Sequence, residues 1–145
     1  MEALQYPPHL SFAIYDSIDP QKLFDAVDSA FRHCESVTVR FDRLGYFEGP
    51  HAIILWAAPV LPERLQSVHD HVHTSIDVNL CRPNYRPGKW TPHCSLALSI
   101  DLAMRQQALA LVAQSIKPFE VLFDVADCAS FLPVYVLHEI RLCGA

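Results

Sequence analysis

Two histidines occur in matching tetrapeptides, Pro8-His9-Leu10-Ser11 and Pro92-His93-Cys94-Ser95, in a chain of 145 residues. Histidine has an ordinary pKa of about 6.5, so two imidazoles can hold complementary protonation states near neutral pH. One can take a proton from an attacking nucleophile while the other gives a proton to a leaving oxygen. The serine hydroxyls can donate hydrogen bonds to phosphate oxygens as charge gathers on them. These residue types therefore suit phosphoester chemistry that needs no metal.

The two motifs belong to a longer internal repeat, with an offset of 84 residues from position 9 to position 93. Each copy continues to an aspartate, Asp19 or Asp101, that is a good N-cap for a following helix. Alternating apolar residues at 37, 39 and 41 then match those at 121, 123 and 125. Repeats generally keep core apolar positions, whereas this one also keeps polar residues. Because the two copies share polar residue types, the repeat favours a catalytic role over a purely structural one.

Each half of the chain predicts the element order strand, helix, strand, strand. In the first half, the strands are expected near 9–15, 36–44 and 51–58, and the helix begins after Asp19. In the second half, the later strands are expected near 119–128 and 134–143. An amphipathic helix joins the halves, with apolar residues at 61, 65, 68, 72 and 76, and a loop follows over 77–91.

This order predicts an α+β fold of two pseudo-symmetric lobes of antiparallel sheet, with helices on the outer faces and a central cleft. Residues 1–145 would form one bilobal domain. Lobe 1 covers about 8–60, the connecting helix and loop about 61–91, and lobe 2 about 92–145. Because side chains two apart on a strand share a face, His9 with Ser11 and His93 with Ser95 would line the cleft.

Composition narrows the class of protein. Hydrophobic residues make up 51% and charged residues 19%, which is typical of a packed globular domain. A formal net charge of −5 disfavours tight binding to long nucleic acid duplexes, although it is compatible with a nucleotide or an RNA end. The longest apolar run is too short for a membrane span, and the N-terminus lacks a signal-peptide pattern. Five cysteines without a CxxC pair indicate reduced thiols and a cytoplasmic location.

The paired motifs, together with the stretch from Tyr85 to Ala97, resemble the 2H phosphoesterase superfamily. That superfamily includes 2′-5′ RNA ligase and cyclic nucleotide phosphodiesterase proteins, and its signature is a His-x-Thr/Ser motif on the first strand of each lobe. The resemblance implies that His9 and His93 are the general acid and base and that Ser11 and Ser95 bind phosphate, with no cofactor. The chain departs from the family in carrying Ser where Thr is more usual.

The leading functional hypothesis is hydrolysis of a 2′,3′-cyclic phosphate on a nucleotide or an RNA end, a reaction of RNA processing. By resemblance, the product would be the 2′-phosphate. Reversible 2′-5′ RNA joining and cleavage of 2′-5′ linked or cyclic oligonucleotides are the alternative enzyme functions. A nucleotide-binding regulatory module is the non-enzyme alternative. No membrane partner is expected, and one chain holds both motifs, so a monomer suffices for the site.

Residues near the motifs could add substrate contacts, since aromatic rings can stack on a base and cations can bind phosphate. The alternative is an ordinary solvated loop in which Trp90 is a packing anchor. Arg82 lies in the same loop as Arg86 and Lys89, which could bring these cations over the cleft, and Arg40 and Arg43 on a strand are weaker candidates. The candidate substrate-binding residues are Tyr6, Tyr85, Arg86, Lys89 and Trp90.

His69 and His73 are four residues apart and could share a metal on a helix. No Glu lies between them as in the HExxH pattern, and Val68 and Val72 mark a different, apolar stripe. The sequence therefore favours a solvated helix face for these histidines and predicts no metal ligands.

Overall fold

The structure is a computed structural model that describes residues 6–144. It contains three α-helices and six strands within that range, and the strand pairs β1–β2, β2–β3 and β5–β6 are antiparallel. This mixture of helices and antiparallel sheet confirms the predicted α+β class. The elements in chain order are α1 (Pro20–Phe31), β1 (Val37–Glu48), β2 (Ile53–Val60), α2 (Glu63–Ser75), β3 (Cys94–Ile100), α3 (Arg105–Val112), β4 (Phe119–Phe123), β5 (Val125–Ser130) and β6 (Tyr135–Arg141).

Both predicted helix caps are present. The Asp19 carboxylate accepts a hydrogen bond from the Gln21 backbone N–H at 3.0 Å, and Pro20 occupies the first helical position of α1. In the second half, Asp101 accepts from the Ala103 N–H at 2.8 Å and caps a short 3₁₀ turn that runs into α3. The local signals that begin these helices therefore act as the sequence predicts.

The predicted strand over 9–15 is wrong. In this segment only Tyr15 makes a β-bridge, to Cys81, among the described residues. Phe12 and Ala13 are adjacent in sequence, yet both pack against one hydrophobic cluster. A regular strand would send neighbouring side chains to opposite faces, so core packing overrides the alternation here.

The predicted strand over 119–128 is two strands, because the chain changes sheets at Asp124. β4 lies at one edge of a four-stranded sheet with the order β3-β2-β1-β4, whereas β5 pairs with β6 in a two-stranded sheet. β2 belongs to the first copy of the repeat and β3 to the second. The four-stranded sheet thus combines strands from both copies.

The described residues divide into two compact units. Unit 1 comprises 6–11, 39–60 and 92–121, and unit 2 comprises 12–38, 61–91 and 122–144. In unit 1, α3 packs on the sheet face that carries Ile53 and Leu55, and Ala108 of α3 is 5% exposed there. Both motif histidines and both motif serines fall within unit 1.

In unit 2, helices α1 and α2 contribute to a core with the β5–β6 sheet. Its buried residues are Val27, Phe31, Val72, Ala126 and Leu142.

The buried side of α2 is wider than the apolar stripe indicates. His69 is 0% exposed and His73 is 8% exposed, so the prediction of a solvated face for these two histidines is wrong. Each finds a backbone acceptor, since His69 Nε2 lies 2.8 Å from the Tyr85 carbonyl and His73 Nε2 lies 3.3 Å from the Phe12 carbonyl. A carbonyl can only accept, so both Nε2 atoms donate, and these bonds make the burial of two polar rings tolerable. Over the described residues, no helix is both long and apolar enough to cross a membrane.

Candidate functional site

The second motif leads into β3. His93 lies one residue before the strand, and Ser95 pairs directly with Trp56 of β2. Directly opposed residues in an antiparallel pair project to the same face of the sheet, so Ser95 and Trp56 are neighbours on one face. The His93 ring meets the Phe47 ring edge-on, with centroids 4.9 Å apart, and its centroid is 6.0 Å from that of Trp56. His93 and Ser95 are therefore held beside an aromatic pair.

A glycine makes room for this pair. Gly45 of β1 is opposite Trp56, and a Cβ at position 45 would come within 2.3 Å of the Trp56 ring. The indole therefore lies directly over the glycine backbone. Phe47, two residues along β1, packs on the same indole with centroids 5.1 Å apart. Glycine within a strand typically marks such a close approach.

These residues lie on the sheet face opposite α3. Strand pairing assigns Arg40, Arg43, Gly45 and Phe47 of β1 to the face of Trp56, because their partners on β2 are Val60, Ala58, Trp56 and Ile54. The other face carries Ile53 and Leu55 and is covered by α3. We call the first of these the helix-averted face, defined by Arg40, Arg43, Phe47, Ile54, Trp56 and Ser95.

The first motif is held by short-range contacts. His9 Nδ1 lies 3.0 Å from the Pro7 carbonyl, so Nδ1 carries the proton and donates a hydrogen bond to that oxygen. This leaves Nε2 as the imidazole nitrogen with the lone pair when the ring is neutral. The Tyr6 ring contacts the His9 ring edge-on at a centroid distance of 4.9 Å. Ser11 is partly buried.

One contact joins the two motifs. The Cys94 thiol, between His93 and Ser95, is buried at 5% exposure, and the His9 backbone lies close enough to lower its pKa. Burial raises the pKa of the Cys94 thiol, and the nearby His9 backbone offsets part of that rise. The structure thus brings the His9 backbone against the middle of the second motif, within unit 1.

The candidate residues of the 82–90 loop belong to unit 2 and are used there for packing. The guanidinium of Arg86 donates to the carbonyls of Cys81 at 2.8 Å and Asn79 at 2.9 Å. Trp90 stacks on the buried His69 ring, with centroids 4.0 Å apart and an interplanar angle of 3°. Arg82 pairs with Asp16, which lowers the pKa of that carboxyl chiefly through the hydrogen bond.

The remaining candidates of this loop differ in exposure. Burial raises the pKa of Tyr85, whose ring is partly enclosed, whereas Lys89 is exposed. Trp90 follows the packing-anchor alternative rather than an open stacking surface, because its face is covered by His69.

Sequence reasoning missed the aromatic pair of Phe47 and Trp56. The signal was present, since an isolated glycine at position 45 interrupts an apolar alternating strand. The partner of that glycine, however, depends on strand register, which the pattern alone does not give. The described residues contain no group of three or more His, Cys, Asp or Glu that could hold a metal, and this includes the histidines of α2.

Comparison with known proteins identifies the family. The model of the 2′-5′ RNA ligase superfamily matches residues 2–130, so the chain belongs to this superfamily. This result confirms the resemblance that the paired motifs carry.

The fold has a counterpart among solved structures. The crystal structure of E. coli LigT complexed with 3′-AMP matches with a TM-score of 0.60 and 17% sequence identity, covering 94% of this chain and 77% of that chain. At this identity the likeness shows the fold. No curated protein matches the chain.

Proposed function

We propose that this chain is a metal-independent phosphoesterase that hydrolyses the 2′,3′-cyclic phosphate of a nucleotide or an RNA end. His9 and His93 are its acid–base pair, and Ser11 and Ser95 hold the phosphate. The observation that carries the proposal is that both motifs lie in unit 1, with the His9 backbone beside the Cys94 thiol. Two segments more than eighty residues apart in sequence thus meet at their histidine motifs.

The reaction needs a base that takes a proton from the attacking water and an acid that gives a proton to the leaving ribose oxygen. One histidine removes a proton from water as the water oxygen bonds to phosphorus. The bond from phosphorus to the ribose 3′ oxygen breaks, and the second histidine protonates that oxygen, leaving a 2′-phosphate. The Nδ1–H bond from His9 to Pro7 supports this role, because it fixes the tautomer and leaves Nε2 for proton transfer.

The proposal is tested by turnover of nucleoside 2′,3′-cyclic phosphates in EDTA. We expect His9→Ala and His93→Ala each to lower kcat about 10²–10⁴-fold, the usual contribution of a positioned acid or base. His51→Ala is the matched control, since His51 is exposed in the turn between β1 and β2. Full activity in both motif variants would refute the two-histidine mechanism, and loss of wild-type activity in EDTA would refute metal independence.

The family match favours one second candidate, reversible 2′-5′ RNA joining. It uses the same groups, with a ribose hydroxyl replacing water as the nucleophile. Incubating RNA ends with and without an acceptor 5′-hydroxyl strand separates the two functions, because joining yields a longer 2′-5′ linked product. Binding of these substrates without turnover of any would instead support a regulatory module.

A further inference from the structure

The His93 ring is the last member of a series of aromatic contacts that starts on the backbone of β1. The Trp56 indole lies over Gly45, in the space that the Cβ of any larger residue would fill. Phe47 packs on that indole with ring centroids 5.1 Å apart. The His93 ring then meets the Phe47 ring at 4.9 Å, with an interplanar angle of 85°. Each ring in the series is thus supported by the one before it.

This support acts on the torsion that aims the nitrogens of His93. The χ2 torsion of histidine is broad, so an imidazole without close neighbours can turn about its Cβ–Cγ bond. An edge-on arrangement is a favoured geometry for an aromatic pair, because the positive rim of one ring meets the negative face of the other. Since turning the imidazole breaks its edge-on contact with Phe47, that contact restricts the orientation of the His93 ring.

Phe47 lies on a more rigid element than the histidine it contacts. It belongs to β1, an inner strand of the four-stranded sheet, and it is opposite Ile54 of β2. Side chains on strands are a more precise support than side chains on loops. His93 lies one residue before β3 begins, and it is only partly buried. A residue inside the sheet therefore holds the ring of a residue at the entry to a strand.

The first motif has a comparable neighbour. The Tyr6 ring meets the His9 ring at a centroid distance of 4.9 Å and an interplanar angle of 61°. Tyr6 is three residues before His9 in the sequence, whereas Phe47 comes from a different strand than His93. An edge-on ring beside the histidine is thus common to both motifs, and in the second motif the tertiary structure supplies it.

We propose that Phe47 is a positioning residue that aims the His93 imidazole at the reacting phosphodiester. This inference rests on the proposed function, since it takes His93 as one of the two histidines that move protons. Phe47 carries no polar side-chain atom, so it can neither give nor take a proton, and it acts through the orientation of His93. Proton transfer needs the imidazole within about 10–20° of its productive direction, and a ring that is free to turn meets that condition less often.

Turnover of a nucleoside 2′,3′-cyclic phosphate gives the first test. We expect Phe47→Leu, which keeps an apolar side chain but removes the ring, to lower kcat about tenfold, the size of an edge-on ring contact expressed as a rate. KM should stay at the wild-type value, because the lost contact acts on proton transfer rather than on substrate binding. Phe47→Tyr keeps the ring and should restore kcat.

Tyr46→Leu is the matched control for the kinetic test. Tyr46 is the neighbouring aromatic residue of β1, and it is opposite Leu55 on the other face of the sheet. Its replacement should leave kcat unchanged. Phe47→Met, which also removes the ring, repeats the test should Phe47→Leu fail to fold. Wild-type kcat in the folded Phe47 variant, or an equal fall in Tyr46→Leu, would overturn the proposal.

An NMR measurement tests the contact without turnover. In isotope-labelled wild type we expect nuclear Overhauser effects between the ring protons of His93 and those of Phe47. In Phe47→Leu the His93 ring signals should shift and broaden, whereas Tyr46→Leu should leave them in place. The absence of the wild-type effects would overturn the positioning role. Their presence in a protein that turns over no cyclic phosphate would instead overturn the proposed hydrolysis and leave the placement of His93 by Phe47 standing.

Discussion

Gly45 shows at the residue scale how a missing side chain shapes the candidate site. The Trp56 indole occupies the space where a Cβ would stand, and Phe47 packs against the same ring. Trp56 in turn is paired with Ser95, so the glycine sets the position of an aromatic surface beside the second motif. The buried Nε1–H of Trp56 has no hydrogen-bond partner among the described residues, which is uncommon for a buried donor.

Replacing this glycine should therefore disturb both stability and the site. We expect Gly45→Ala to lower the free energy of unfolding by about 1–3 kcal/mol, because a methyl group 2.3 Å from the indole forces the ring to move. Urea unfolding followed by tryptophan fluorescence measures the change.

The control for this substitution is Gly49→Ala. At Gly49 the nearest atom to an added Cβ is the Ala52 carbonyl oxygen at 3.5 Å, an ordinary contact. Equal stability of the two alanine variants would show that the indole does not lie over Gly45.

At the scale of elements, α2 is anchored by a polar residue inside its buried face. The His69 ring is fully buried between its bond to the Tyr85 carbonyl and its stack on Trp90. Phe12 contacts the Trp90 ring as well, with centroids 5.3 Å apart. Phe12 directly follows Ser11 in the chain, and Trp90 comes three residues before His93.

Removing the His69 imidazole should lower the free energy of unfolding. We expect His69→Ala to destabilise the protein by about 2–4 kcal/mol, since it leaves a cavity against Trp90 and removes the hydrogen bond to the Tyr85 carbonyl. Chemical denaturation measures this, and the control is His71→Ala on the same helix. His71 is exposed and bonds to Ser29 Oγ at 3.0 Å, so its removal should change stability by no more than about 0.5 kcal/mol. A His69→Ala variant as stable as His71→Ala would contradict the buried stack.

At the scale of the whole molecule, one buried histidine, His73, links stability to pH. Burial lowers the pKa of His73, and the neighbouring His69 adds to that effect. In the unfolded chain the group returns to an ordinary pKa of about 6.5, so the unfolded state binds more protons in this range. The contribution of neutral, buried His73 to the free energy of unfolding is therefore complete above about pH 6.5. It declines as the pH falls below that value towards the lowered pKa of His73.

A denaturation series from pH 8 to pH 5.5 checks the sign of this dependence. The wild type should become less stable as the pH falls, and His73→Phe should show a shallower decline because it has no titrating ring. His73→Phe also loses the bond to the Phe12 carbonyl, so the slope with pH is compared rather than the absolute stability. The control is exposed His51→Gln, which should keep the wild-type slope; a wild-type slope in His73→Phe would contradict the prediction.

Local signals in the sequence predict much of this molecule. The caps at Asp19 and Asp101 begin helices where expected, and α1 and α2 follow the apolar periodicity. The hairpins β1–β2 and β5–β6 also fall near their predicted positions, because alternation with turn residues is a short-range property. The motif pair needs nothing beyond residue identity and spacing, and it was sufficient to indicate the superfamily that the family model identifies.

The failures concern interactions between distant parts of the chain. The alternating pattern of 9–15 predicts a strand, but whether its Phe12 and Ala13 face a sheet or a core depends on what packs against them. The helical pattern of α2 marks Val68 and Val72 as buried, but His69 is buried too, because the Tyr85 carbonyl accepts its hydrogen bond and the Trp90 indole stacks on its ring. Whether a polar side chain can be buried depends on its hydrogen-bond partners, and those partners belong to other elements of the fold.

The sequence by itself determined the paired motifs that indicate the superfamily, the helices with their caps, and the repeat that relates the two motifs. Only the tertiary structure decided that β2 of one copy pairs with β3 of the other, and that Arg40 and Arg43 share a sheet face with Ser95. The physical reason is that side-chain periodicity fixes which residues within one strand share a face. Neighbouring strands and their register are chosen by long-range pairing, in which a β-bulge between Phe41 and Arg43 resets the alternation.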